Sequence, residues 1–189
     1  MVVLFDGLDN TGKTTQIQKL VSYFANKDAI TTVCKYSKFD KLDKTKEEKF
    51  SKRFYKDYFE KISNWPDKVT SDPAYVDDNN LVLDRGHISE AVYASMYRTY
   101  SGDYVWDLEK CLADKLNTYL IVLVDTVEKA VEREDGLSLS NGDAGKISEE
   151  LAKFIEAYKK SCIPNKILIN INGFSIEEVF AQIVKFLGI

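Results

Sequence analysis

Arginine is the conspicuous shortage of this 189-residue chain. Only Arg53, Arg85, Arg98 and Arg133 stand among its 26 basic residues, the other 22 being lysine. The planar guanidinium fork suits bidentate phosphate contacts, so each of the four can be inspected by itself. Histidine is rarer still. His87 is alone, and its place near a helix start reads as capping or packing rather than catalysis. Cys34, Cys111 and Cys162 form an odd, scattered set without CxxC spacing. That suits a reducing cytosol, with each cysteine expected as a small buried hydrophobe. Long apolar runs are missing too. The longest aliphatic stretch, "LIVLV" at 120–124, is far too short to span a bilayer, and no signal peptide is expected before the first strand. A net charge of −4 argues against a general nucleic-acid-coating role while leaving room for a local basic cleft. The expectation is a soluble, cytoplasmic protein that binds neither nucleic acid nor membrane.

What is present fits one domain over 1–189, a size that buries about 70% of the unfolded surface in a single core. Val2–Phe5, "LVLD" (81–84) and "YLIVLVD" (119–125) are short apolar runs that read as buried strands. The β-branched "ITTVCKY" (30–36) and "KILINI" (166–171) add two more strands. Helical spacing of apolar residues appears after Thr14, over 44–62, after Asp84, near 104–116, after Thr126, around Leu151–Tyr158 and after Ser175. Ser175 and Glu178 form a capping box for the last of these helices. Five short buried strands separated by helices predict a five-stranded parallel sheet flanked by helices, an α/β fold. The glycine-rich, core-poor stretch "EDGLSLSNGDAGK" (134–146) predicts a short flexible lid over about 133–147.

Ligands of such sheets bind beyond the carboxyl ends of the strands. "FDGLDNTGKTTQ" (5–16) lies in that place and contains Gly7-x-x-x-x-Gly12-Lys13-Thr14, the Walker A pattern. Its glycines let backbone amides curl around phosphate oxygens, and the following helix offers its positive end to the same anion. Asn10, Thr11, Gly12, Lys13, Thr14 and Thr15 are the expected ATP phosphate-binding residues. Lys13 would reach the β- and γ-phosphates and the Thr14 hydroxyl would ligate Mg²⁺. A GTPase switch is disfavoured. "NKDA" (26–29) places its acid one residue early for a base reader, "NKIL" (165–168) has none, and "DRGH" (84–87) brings its glycine too soon.

The stretch "LVLDRGHISEAVY" (81–93) narrows the class. Asp84 ends a strand where a carboxylate can hold Mg²⁺, so Thr14 and Asp84 form the expected metal pair. Arg85 beside it sets a fixed cation where a transferring phosphoryl or an acceptor phosphate would sit. Here the chain resembles the thymidylate kinase family of P-loop nucleoside monophosphate kinases. That family writes its first loop as F-[DE]-G-x-[DE]-x-x-G-K-[ST]-T-Q and its second signature as D-R-Y-x-x-S-x-x-A-Y. Asp84, Arg85, Ser89 and Tyr93 match the second in register, while Gly86 replaces the first Tyr and Val92 the Ala. The resemblance extends through "VEKAVERE" (127–134) to the closing "INGFSIEEVF" and is loosest over 40–80.

The resemblance implies Mg²⁺ as cofactor, ATP as co-substrate, a deoxynucleoside monophosphate acceptor and a homodimer. It also implies acceptor-binding roles: Asp9 on the sugar 3′-hydroxyl, Arg85 on the acceptor phosphate, Ser89 and Glu90 toward the base edge, and Tyr93 against C2′. Lys38, beyond the second strand, stands where the family commonly places a basic residue for that phosphate. A stacking aromatic is expected from 50–65, with Phe59 and Trp65 as candidates and Arg53 on the same helix. Glu90, acceptor-only when ionised, leaves a base other than thymine open. The family supplies an arginine from the phosphate loop or from the lid. Asn10 fills the loop position, so Arg133 is the expected lid cation, with Lys146 in reserve. Catalysis is thereby assigned to Lys13, Asp84, Arg85 and Arg133. Two alternatives stay open. One is a deoxynucleoside kinase, with Asp6 as base for a 5′-hydroxyl; the other is a nucleotide-binding module without chemistry. The lysine-, asparagine- and tyrosine-rich composition is that of an AT-rich genome; for a viral chain the location would be the host cytoplasm.

Overall fold

The computed structural model describes residues 1–35, 44–65 and 79–189. Lys38 lies outside them. The described chain runs β1 (Val2–Gly7), α1 (Lys13–Ala25), β2 (Thr31–Lys35), α2 (Lys44–Ser63), β3 (Asn80–Asp84), α3 (His87–Tyr97), α4 (Tyr104–Glu109), a 3₁₀ turn (Lys110–Leu112), β4 (Thr118–Val124), α5 (Val127–Glu132), α6 (Ala144–Lys160), β5 (Asn165–Asn170) and α7 (Ile176–Leu187). The strands form one sheet in the order β2-β3-β1-β4-β5. Every neighbouring pair is parallel.

Burial follows position in that order. The central β1, β3 and β4 are almost wholly buried, while β2 and β5 at the edges are partly exposed. Side chains alternate across the sheet, so β1 feeds two cores. Val2 and Leu4 pack with Ile88, Val92 and Phe154 from α3 and α6. Val3 and Phe5 pack with Ile17, Leu20, Val179 and Ile183 from α1 and α7. Helices α1 and α3 therefore leave adjacent strands toward opposite faces of the sheet. That divergence opens a crevice beyond the carboxyl ends of β1 and β3.

Local chemistry sets the helix limits. Thr126 caps α5 and Asp143 caps α6 through side-chain bonds to Lys129 and Lys146 amides. The predicted capping box of Ser175 and Glu178 opens α7, and Gly188 ends it in a left-handed conformation. The Asp143 cap starts α6 at Ala144, so the last four residues of the predicted lid segment belong to that helix. The helix predicted near 104–116 is shorter, ending as α4 and the 3₁₀ turn.

The cysteines depart from expectation. Cys111 and Cys162 are exposed and Cys34 is half-buried, all as free thiols. They sit on a 3₁₀ turn, beyond a helix end and on an edge strand, where the chain reaches the surface. His87 is fully buried near the start of α3, its Nε2 2.7 Å from Glu109. Burial pushes the Glu109 carboxyl up, but His87, the Ser161 hydroxyl and the Cys162 amide outweigh it and bring it down to about 2. No helix among the described residues is long and apolar enough to cross a membrane.

Candidate active site

The loop after β1 is shaped by two different demands. Gly7 adopts φ 125 alongside Leu123 of β4. A Cβ there would lie 2.8 Å from both the Leu123 carbonyl carbon and its amide nitrogen, and closer still to its oxygen. Asn10 and Gly12 are left-handed, at φ 59 and 75, turning the backbone before α1 begins at Lys13. Successive amides in such turns form an anion-binding concavity, which the N-terminus of α1 extends.

Lys13 is buried and curls back over its own loop. Its Nζ lies 3.1 Å from the Gly7 carbonyl and 3.4 Å from Thr11 Oγ1, and donates to the Leu8 carbonyl. Burial, aided by the Arg85 charge, pulls its pKa down to about 7, with Asp9, Asp6 and Asp84 opposing. This ammonium is held by loop carbonyls where a phosphate oxygen would otherwise satisfy it.

Opposite the loop, β3 ends at Asp84. Thr14 Oγ1 donates to Asp84 Oδ2 at 3.3 Å, and Lys35 Nζ lies 3.6 Å from the same oxygen. These are hard oxygen donors beside a phosphate cradle, the ligand type that Mg²⁺ takes. Among the described residues no three His, Cys, Asp or Glu converge on a metal site. Thr14 and Asp84 alone would leave the remaining ligand positions to water and phosphate oxygens, which is the usual manner for Mg²⁺.

Arg85 is left-handed, at φ 70, and its guanidinium pairs with Asp9 of the loop. It also lies 6.0 Å from the centre of the Tyr93 ring. Burial acts to lower the Arg85 pKa, but Tyr93 and Asp9 outweigh it and hold it above its ordinary value. The next residue, Gly86, replaces the tyrosine of the family signature, and a larger residue there would require Tyr58 to shift. A Cβ at Gly86 would stand 2.5 Å from the Tyr58 hydroxyl, and Tyr55 donates to the Gly86 carbonyl at 3.2 Å. Aromatics from α2 occupy that space.

A cavity of about 400 Å³ gathers Asn10, Thr11, Gly12, Lys13 and Thr14 with Asp84, Arg85 and Arg133. All four residues given catalytic roles line it. Arg133 reaches it from the end of α5, its guanidinium paired with the buried Asp125. Thr15 lines an adjoining hollow of about 310 Å³ that Gln16, Ile171, Phe174, Ile176 and Val179 floor with largely apolar surface. Lys146 is exposed on the first turn of α6 and lines neither hollow. A separate hollow of about 190 Å³ between α3, α4 and α6 contains none of the candidate residues.

The acceptor residues divide. Asp9, Arg85 and Tyr93 cluster, but Ser89 does not face open space. Its hydroxyl and amide both donate to the buried Asp6 carboxylate, the amide at 3.1 Å. Glu90 is likewise saturated, by Arg98 and by the Tyr100 and Tyr104 hydroxyls at 2.9 and 2.8 Å. Phe59 is a core residue packed on His87, Trp65 donates to the Asn79 carbonyl at 3.4 Å, and Arg53 is exposed. Sequence reasoning also missed several residues here. Lys35, at the carboxyl end of β2, was discoverable by strand position. Asp125 directly follows the last residue of β4. Glu150 of α6 carried no local signal; it accepts from Tyr97, and burial, with the Asp9 charge adding, raises its carboxyl pKa.

The sequence model of Thymidylate kinase matches residues 5–183. The chain belongs to the thymidylate kinase family. It is a phosphotransferase, a P-loop nucleoside monophosphate kinase by family. Its fold is shared by YorR of Bacillus subtilis, solved in complex with phosphorylated GDP, at TM-score 0.70 and 16% identity over 100% of this chain and 96% of that one. Thymidylate kinase of Candida albicans gives TM-score 0.64 at 13% identity, covering 99% and 90%. Thymidylate kinase of Ehrlichia chaffeensis gives 0.59 at 16%, covering 100% and 98%. No curated protein sequence matches the chain.

Proposed function

We propose that this family member transfers the γ-phosphoryl of Mg·ATP to a deoxynucleoside monophosphate, dTMP or a related pyrimidine nucleotide. The observation that carries the reading is the meeting of Arg85 with the phosphate loop. One guanidinium, locked by Asp9 and set against Tyr93, faces the cavity that Lys13 and Thr14 line. Two anions can be held there side by side.

In this reading an oxygen of the acceptor's phosphate attacks the γ-phosphorus. The bond to the β–γ bridging oxygen breaks, and ADP leaves with the electron pair. The attacking oxygen is already ionised at neutral pH, so no strong base is required. The chain's contribution is position and charge. Loop amides and Lys13 hold the donor, Arg85 holds the acceptor phosphate, and Arg133 closes over the donor phosphates. Thr14 and Asp84 would hold Mg²⁺, which when bound neutralises charge on the phosphate oxygens. The apolar floor of Ile171, Phe174 and Ile176 accommodates the donor base beside its phosphates. The homodimer and the cytoplasmic setting of the family belong to the same reading.

The deoxynucleoside kinase alternative needs Asp6 as a base, yet both Asp6 oxygens are engaged by the Ser89 hydroxyl and by the amides of Gly7 and Ser89. A coupled ADP-release assay with dTMP, dUMP, dCMP and dGMP, and with the matching nucleosides, tests the choice. Acceptor-dependent turnover with a monophosphate is expected. Turnover with nucleosides alone, or slow ATP turnover indifferent to acceptor, overturns it.

A further inference from the structure

Asp125 is a buried acid to which the transfer chemistry gives no task. It directly follows β4, the strand between β1 and β5, and only 1% of its side chain is exposed. A carboxylate taken out of water has to be paired and hydrogen-bonded. Both oxygens are engaged. Oδ1 accepts from the Thr126 amide at 2.8 Å, and Oδ2 takes the Arg133 guanidinium through Nη1.

That pair spans a whole helix. Thr126 caps the six-residue α5, and Arg133 ends it eight residues after Asp125. Side chains of a helix lean toward its N-terminus, so Arg133 runs back along α5 to the acid. There it lies on the seam between the phosphate cavity and the apolar hollow. Asn10, Thr11, Gly12 and Arg133 line both, so among the described residues Arg133 alone reaches the two from outside the loop. A donor with its phosphates in one and its base in the other would pass beside it.

The guanidinium carries five N–H donors in a fixed fork. Among the described residues its only side-chain acceptor is Asp125, and 41% of the side chain remains exposed. The other donors are left for phosphate oxygens. Releasing Asp125 to reach them would strand an uncompensated carboxylate in the interior, the costly way to break a buried pair.

We propose that Asp125 is a positioning residue, the fixed anchor that holds Arg133 at the donor phosphates, and that the pair persists when the donor binds. The arginine acts from its tether. The inference rests on Arg133 being the donor-side cation, and its test separates the two.

Steady-state turnover of ATP with the monophosphate preferred in the acceptor panel is compared in the parent, Asp125→Asn, Arg133→Ala and the double variant. Asp125→Asn keeps the shape and an oxygen for the Thr126 amide while removing the charge. Misplacing a group at the chemistry by about 1 Å costs on the order of 10²-fold, so kcat should fall by about that factor with KM for the acceptor unchanged. In the Arg133→Ala background the same change should cost less than about twofold more, because the group it positions is gone. Guanidinium chloride at non-denaturing concentration should restore Arg133→Ala by about tenfold or more, part of what the arginine supplies, since Asp125 still offers the site. The double variant should not respond. A kcat of Asp125→Asn within about twofold of the parent overturns the inference. So does an equal loss in both backgrounds, the mark of a merely structural staple. Rescue that is absent from Arg133→Ala, equal in the double variant or matched by sodium chloride overturns it too. Those results leave Arg133 and the kinase reading standing. Arg133→Ala turning over within about tenfold of the parent overturns the role of Arg133 itself, and this inference with it.

Discussion

The two glycines of the phosphate loop should respond to the same substitution for unlike reasons. At Gly7 an added methyl meets main chain: it would lie 2.8 Å from the carbonyl carbon and amide nitrogen of Leu123, closer still to its oxygen, at φ 125. Backbone strain of that kind costs about 1–3 kcal/mol. Forcing a side chain into packed surroundings adds about 1–3 kcal/mol. The neighbour here is the main chain of β4, which pairs with β1 and cannot rotate aside, so the total for Gly7→Ala is about 2–6 kcal/mol. At Gly12 the methyl meets nothing within 4 Å, and only the left-handed backbone at φ 75 opposes it, a cost of about 1–2 kcal/mol. Each kcal/mol shifts Tm by about 2–4 °C in a chain of this size. Thermal unfolding followed by far-UV circular dichroism should show Gly7→Ala melting about 4–24 °C below the parent and Gly12→Ala about 2–8 °C below. Gly12→Ala should instead raise KM for ATP, because its methyl projects from the phosphate cradle. A Gly7→Ala variant within about 2 °C of the parent, or a Gly12→Ala loss that equals it, would refute the assignment of Gly7 to sheet packing.

Two further outcomes follow from charges in the site. Arg133→Ala should lower turnover on the order of 10³-fold, as loss of a donor-closing arginine does. A steady-state kcat within about tenfold of the parent would remove Arg133 from the chemistry. Lys13 has its pKa lowered to about 7 by burial, so at pH 8 it is mostly neutral until a phosphate arrives. Binding of a non-hydrolysable ATP analogue at pH 8 should therefore take up about one proton. Calorimetry in buffers of different ionisation enthalpy reads this uptake, and a binding enthalpy independent of buffer would contradict it. The same shift sets a stability trend for the nucleotide-free protein. Between about pH 7 and the ordinary lysine pKa of 10.5 the unfolded chain keeps a proton that the native state has released. Stability from this group therefore rises with pH across that window and is depressed below it.

Local pattern was enough for the framework. Short apolar runs bounded by glycine or acid marked strands whose both faces are covered, and the capping residues of α7 were legible as a four-residue pattern. The phosphate loop was equally legible, because anion binding by main-chain amides demands glycines at fixed spacing. Asp84 and Arg85 were found because ligands of an open parallel sheet bind beyond the carboxyl ends of its strands, and these two charged residues stand at and just after the end of the apolar run of β3.

What the sequence could not decide was partnership between segments distant in the chain. Ser89 and Glu90 occupy positions that suggest contact with a base, yet Asp6 engages one, while Arg98, Tyr100 and Tyr104 engage the other. Helical periodicity in α2 did not distinguish Phe59, buried against His87, from Phe50, which is substantially exposed. Gly86 looked like a missing tyrosine until the fold brought Tyr58 to the same place. Composition, spacing and turn chemistry are properties of neighbouring residues, so the chain alone determined its strands, its phosphate loop and the order of its elements. Which buried charge meets which partner depends on distances across the sheet, and only tertiary packing sets those.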